Sequence, residues 1–210
     1  MARPDTRTRI LVTSLLLFND HGEPGTTTNE IADEADISPG NLHYHFRRKA
    51  DVVEALLAEF QADAGNVLHA PAGGEPAIEE FRGFLQLLIE LLAAYRFLVR
   101  DTETLIAAYP KVRRAVRGFV NGLFAVIELH VVALRDDGVI RIADADVPDL
   151  RRGLALVALF SERLDTFSGS TVAIDKTAAR IAGASIGMLL PHAEPEAADN
   201  LRALLEQYRA

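Results

Sequence analysis

The sequence predicts an all-α protein: a three-helix head containing a helix-turn-helix, followed by a larger helical body. Three observations point there. Apolar residues recur at helical spacing along most of the chain. Alternating strand patterns are nearly absent, and no Asn-Gly or Asp-Gly turn joins two β-branched runs. Ser, Thr, Gly and Pro fall where helices would start and stop. The 210 residues, 49% hydrophobic and 25% charged, have the composition of a globular chain able to bury a core.

In order along the chain, Leu11, Leu15 and Phe18 mark a first helix over 5–20, ended by His21-Gly22, whose glycine suits a left-handed cap. Thr27 or Thr28 can cap a second helix through Ala35, with Glu30 as its first-turn acid. Ser38-Pro39 starts a third, since the hydroxyl accepts an orphan amide and proline fits the first helical position. Val52, Leu56 and Phe60 carry a fourth over about 48–69, broken by the Pro/Gly-rich stretch 70–76. Phe81, Phe84, Leu88, Leu92 and Tyr95 line a long fifth. Asp101 can cap a short helix that ends at Tyr109-Pro110. The next carries Val116, Leu123, Ile127, Val131 and Leu134 and stops at Asp137-Gly138. Two strongly apolar helices over 149–168 and 175–190, and a last one over 196–208, complete the body. The head is assigned to 1–50 and the body to 51–210, with helix four connecting them.

Composition excludes several chemistries. The chain has no cysteine, so disulfides, thiolate catalysis and Cys-based zinc sites are ruled out. It has no uninterrupted apolar run long enough to span a bilayer, and its start lacks the pattern of a signal peptide. A cytoplasmic protein without a membrane partner is expected. No carboxylate pair, phosphate-cradling loop or Ser/His/Asp arrangement can be argued, so neither an enzyme nor a cofactor is expected. No metal is expected either: His43 and His45 point about 200° apart on a helix.

The net charge of −8 speaks against a protein that coats nucleic acid by bulk attraction. Residues 1–50 balance at −1, however, leaving −7 on the remainder. The cations of the first region fall in two groups, an N-terminal arm with Arg3, Arg7 and Arg9, and the run Arg47-Arg48-Lys49. Phosphate contacts need only such local clusters.

The informative stretch is 26–49, two short helices joined by Asp36-Ile37. Ile31, Ala32, Ala35, Ile37, Leu42 and Phe46 would hold the pair together, and small Ala32 and Ala35 permit close approach. Such a pair sets the second helix's N-terminal residues at base edges in the major groove. Thr27, Ile31, Ala32, Ala35, Ser38, Gly40, Leu42, His45, Phe46 and Lys49 fall at the spacing of the TetR-family DNA-binding domain, and residues 8–60 resemble it. Asp36 stands where that pattern usually has glycine, and His43 where it usually has tyrosine.

The resemblance implies phosphate contacts from Thr27 or Thr28, His43, Tyr44 and Lys49. It also implies an exposed recognition-helix start of Pro39, Gly40, Asn41 and Tyr44. Asn41 can pair with adenine's donor-acceptor edge, and Gly40 can let the backbone approach DNA. The partner implied is double-stranded, palindromic operator DNA, bound by a homodimer and released by a small effector, which the apolar richness of the body suggests is apolar.

For the dimer, Leu154, Val157, Phe160 and Leu164 on one helix and Ile181, Ser185, Met188 and Leu189 on the other are candidates. Gly183 and Gly187 would permit close contact. These faces could equally pack within one chain. An effector pocket is expected around Phe84, Tyr95, Arg96, Phe124 and His130, whose aromatic members could also be plain core. The competing function is a small-molecule-binding helical protein that does not recognise DNA sequence; salt-dependent binding to promoter DNA separates the two.

Overall fold

The carboxylate of Asp5 accepts the Thr8 amide at 2.7 Å and so starts α1 (Thr6–His21), which Gly22 closes at φ 89°. The structure, a computed structural model, describes residues 5–169 and 174–209; Arg3 of the expected basic arm lies outside them. Thr27 caps α2 (Thr28–Glu34) in a full capping box, its hydroxyl accepting from Glu30 N–H and the Glu30 carboxylate accepting from Thr27 N–H. That second bond holds Glu30 below the usual carboxylate range. Ser38 caps α3 (Pro39–His45), with Pro39 at its first position.

Between α2 and α3, Asp36 sits at φ 52°, the only non-glycine described with positive φ. Asp tolerates that conformation better than most residues, but glycine adopts it without strain. Asp36→Gly is therefore expected to stabilise the protein by about 0.5–1 kcal/mol, read as an upward shift of the urea midpoint.

Seven further helices, α4 (Lys49–Val67), α5 (Ala77–Ala94), α6 (Arg96–Arg100), α7 (Thr102–Ala108), α8 (Pro110–Asp136), α9 (Val147–Phe167) and α10 (Ile174–Leu189), lead through a 3₁₀ turn at Leu190–His192 to α11 (Pro195–Arg209). Where one short helix was expected after Tyr95, α6 and α7 stand in succession. Asp101 between them makes no side-chain cap; its carboxylate accepts the Glu23 amide instead. Among the described residues there is no strand, only an isolated bridge between Ile140 and Ala193.

The chain divides into two compact units, Met1–Ala64 with Ala94–Phe119, and Gly65–Ala93 with Val120–Ala210. The first unit is thus larger than the head read from the sequence. Its core is built on Ile10, Phe18, Ile31, Leu42, Leu56 and Phe97, all fully buried. Phe18 and Phe97 meet at 5.4 Å. Asn19 clamps the start of α6, donating to Ala94 O at 2.8 Å and accepting Phe97 N–H at 3.1 Å.

The second unit packs Phe81, Phe84 and Leu88 of α5, Leu123, Ile127, Val131 and Leu134 of α8, and the helices α9, α10 and α11. Helix α8 is long and apolar enough by composition to cross a membrane, yet the stripe that makes it so is buried in this core. Gly183 faces α11, where an added Cβ would come within 3.1 Å of Tyr208. Gly183, a candidate for a partner contact by sequence, thus packs against α11 within the chain.

Candidate nucleic-acid interface

Helix α3 buries one side chain, Leu42, and turns the rest of its surface outward. Pro39, Gly40, Asn41 and His43 are exposed, and Tyr44 is 85% exposed, its ring edge-on to His45 at 5.3 Å. An added Cβ at Gly40 would meet nothing nearer than Ser38 Oγ at 3.9 Å. Packing inside the chain therefore does not require glycine at 40. Thr27 is exposed and Thr28 half-buried at the start of α2, and Thr27's hydroxyl proton remains free to donate while its oxygen caps the helix. Beside them, Arg47 is exposed, Arg48 pairs with Asp51 at 3.1 Å, and Arg7 lies over the Phe46 ring.

Lys49 departs from its expected place. Its ammonium donates to the carbonyls of Glu23 at 2.8 Å and Thr26 at 3.0 Å, and meets the Glu23 carboxylate at 3.0 Å. An ammonium has three protons, and all three are used. Lys49 thus ties the first turn of α4 to the loop between α1 and α2, with its side chain only part-exposed.

The hub of this arrangement is Glu23, 3% exposed. Besides Lys49, its carboxylate accepts the Tyr109 hydroxyl at 2.7 Å, and its backbone N–H donates to Asp101 Oδ2 at 3.0 Å. Arg100, paired with Asp101, donates to Phe18 O at 2.6 Å and Asn19 O at 2.7 Å, satisfying carbonyls at the end of α1. Burial, with the bond to Glu23, pushes the Tyr109 phenol above its ordinary range, so it stays a donor. Sequence reasoning missed Glu23 and Tyr109 because they lie 86 positions apart. The only local signal was an acid, Glu23, in an otherwise turn-like segment.

The residues expected to form an effector pocket occupy three places. Phe84 and His130 stack at 4.7 Å, with Phe81 at 5.9 Å from the same imidazole. Phe124 lies under the Arg151 guanidinium, which also pairs with Glu128, beside an open groove of about 540 Å³ edged by Asn121 and Leu129. Tyr95 belongs to the first unit, where it donates to Asp63 at 2.7 Å and packs edge-on to Phe60; half-buried Arg96 follows it.

His130 is 2% exposed, and neither ring nitrogen has a protein partner among the described residues. Burial pushes its pKa down to about 4, partly opposed by the charge of Glu80. In the unfolded chain the imidazole takes a proton below about 6.5 and in the fold only below about 4, so stability is complete above the first value and is lost as pH falls between them. From pH 7.5 to pH 5, His130 is expected to cost on the order of 2 kcal/mol. Urea titrations of wild type and His130→Phe at both pH values would show it, the variant losing that share of the pH dependence.

The dimer candidates divide in the same way. Leu154, Ile181, Ser185 and Leu189 are buried inside the second unit, while Val157 and Met188 are half-buried. Met188 fills the space beside Gly153. Phe160 and Leu164 are exposed, and the stripe they belong to runs through Leu156 and Phe167, the last 78% exposed.

A capped pair of short helices that buries Leu42 and presents Gly40, Asn41 and Tyr44 to solvent defines a helix-turn-helix DNA-binding regulator. The sequence comparisons narrow the class. Residues 10–56 match the profile described as bacterial regulatory proteins, tetR family, and residues 59–201 that of the TetR bacterial transcriptional repressor. A TetR-family transcriptional regulator from Marinobacter aquaeolei VT8 is 31% identical, with a TM-score of 0.89 over 99% of this chain and 100% of that one. The probable HTH-type transcriptional regulator YttP of Bacillus subtilis is 30% identical over 42% of each protein. The HTH-type transcriptional repressor KstR2 of Mycolicibacterium smegmatis is 39% identical over 26% of each. The matches to these two curated relatives span less than half of their length. The chain belongs to the TetR family of bacterial transcriptional regulators.

Proposed function

We propose that the protein is a ligand-responsive repressor that binds a palindromic DNA operator in the cytoplasm as a homodimer and leaves it when a small, largely apolar effector occupies the body. The observation that carries this reading is the outward face of α3, where Gly40, Asn41 and Tyr44 are exposed while Leu42 anchors the helix. In this reading Asn41 pairs with a base, and Gly40 with Pro39 lets the backbone approach the groove. Thr27, Thr28, His43 and Tyr44 donate to phosphates. Lys49 is left out of the contacts, because its donors are already committed.

The two-fold contact is assigned to the α9 stripe through Phe160 and Leu164, and the effector site to the surroundings of His130 and Phe84. Two recognition helices enter successive major grooves only when about 34–36 Å apart. An effector that binds better to a dimer with another spacing draws the population away from DNA. The repressor sign follows the names of relatives such as KstR2.

The test is binding to a randomised duplex library and to the gene's own upstream fragments, across a salt series. Wild type is expected to select a palindrome. Asn41→Ala/Tyr44→Ala is expected to lose at least about 100-fold in affinity, and Gly40→Ala to bind weakly while melting no lower than wild type. A wild type that selects no sequence would leave the small-molecule-binding reading in its place.

A further inference from the structure

In a chain of net charge −8, the stretch from Thr104 to Ile127 contains no acid and four cations, Lys111, Arg113, Arg114 and Arg117. All four lie on the first two turns of α8 and are exposed, while Val112 and Ala115 between them are buried. Lys111 has a partner, Glu54, at 2.5 Å. The other three have no ion pair or hydrogen bond among the described residues. Cations there do nothing for the helix itself, since the first turn favours acids and the dipole opposes positive charge. Arg113 and Arg117 are four apart and Arg114 and Arg117 three apart, so the guanidinium groups share one face.

A chain of polar bonds ties the start of this helix to the head. Tyr109, the residue before α8, donates to Glu23 at 2.7 Å; Glu23 meets Lys49 at 3.0 Å; and Lys49 donates to the Thr26 carbonyl at 3.0 Å. Thr26 adjoins Thr27, the cap of α2. Three links therefore connect the start of α8 to the start of α2, where phosphate contacts are proposed, and both ends lie in the same compact unit. The first two turns of α8 rise only about 10 Å.

We propose that Arg113, Arg114 and Arg117 form a second phosphate-binding surface, outside the helix-turn-helix, that touches the DNA backbone when the head occupies its operator. The proposal rests on the operator reading above. Its partner is fixed by charge: an unpaired guanidinium fork matches a phosphate, and the surface shares a unit with the recognition helix. Such contacts carry no sequence information, so the surface adds affinity and salt dependence to every duplex alike.

The experiment compares wild type with Arg113→Gln/Arg114→Gln/Arg117→Gln and with the corresponding triple lysine variant. Fluorescence anisotropy is measured from 0.05 to 0.5 M salt on the duplex that wild type selects from the library and on a scrambled duplex of equal length. Removing one arginine–phosphate pair from each protomer of a dimer lowers the slope of log K against log salt by about 2. The glutamine variant is expected to show at least that drop on both duplexes, with an unchanged ratio between them and an unchanged melting temperature. The lysine variant is expected to keep the wild-type slope. An unchanged slope in the glutamine variant overturns the proposal, as does a lysine variant that falls equally far. Both results differ from a wild type that selects no duplex, which removes the operator reading itself.

Discussion

Glu23→Ala is expected to destabilise the protein by about 3 kcal/mol, as breaking a buried pair by removing one partner does. For a chain of this size that corresponds to a fall of about 6–12 °C in melting temperature. The carboxylate is almost wholly buried and serves two donors, the Lys49 ammonium and the Tyr109 hydroxyl. Alanine leaves the hydroxyl without an acceptor and the ammonium with two carbonyls alone, and a buried donor deprived of its partner costs about 1–3 kcal/mol. Glu23→Gln keeps an acceptor for Tyr109 but not the charge, and should cost less. Tyr109→Phe removes only the hydroxyl, at about 1 kcal/mol. The Glu23 and Tyr109 effects should be non-additive in a double-mutant cycle, since the two side chains share one bond. Urea denaturation and thermal melting at pH 7 check wild type, the three single variants and the double variant; a Glu23→Ala variant that melts within a degree or two of wild type would sink the assignment.

The second large effect is expected at the α9 stripe. Leu156, Phe160, Leu164 and Phe167 follow spacings of four, four and three, which places them along one side of the helix. Each is about half exposed or more. A continuous apolar stripe on the surface marks a contact with another chain, and a two-fold contact needs one self-complementary face. Phe160→Glu/Leu164→Glu should yield a monomer by light scattering with an unchanged helical spectrum. Its affinity for a palindromic duplex should fall by at least about 100-fold, because each head then binds one half-site alone. Its melting should also lose the concentration dependence expected of a dimer. A double variant that still elutes as a dimer would place the interface elsewhere.

The features legible in the sequence were the local ones. The Thr27 capping box, the Ser38-Pro39 start and the Gly22 stop depend on residues within four positions of one another, and each stands where the pattern put it. Asp36 likewise occupies the left-handed turn that its place between two helices required. What was not legible depended on the third dimension. Lys49 reads as a phosphate contact until the loop at 23–26 folds back over it. Asp101 reads as a helix cap until Glu23 offers its amide. In α9, Leu154, Val157, Phe160 and Leu164 are all apolar at helical spacing, so periodicity alone could not tell the face covered by α10 from the face left open. The exposed side is set by Leu156 and Phe167, which the expected stripe did not include. Phe84 and His130 stack on each other, whereas Tyr95, one position beyond the end of α5, turns toward Phe60 and Asp63.

The Glu23 hub also bears on how this molecule can be recombined. The two family profiles meet between residues 56 and 59, which invites exchange of heads between regulators at that seam. A head cut there leaves behind Arg100, Asp101 and Tyr109, and arrives in its new host with the Glu23 carboxylate short of the Tyr109 hydroxyl, the Glu23 amide without its acceptor and two helix-end carbonyls without Arg100. A chimera that carries 94–119 along with 1–64 keeps every one of those bonds intact, so the transferable cassette in this protein is discontinuous in sequence and nearly twice as long as the stretch 10–56 that the profile matches.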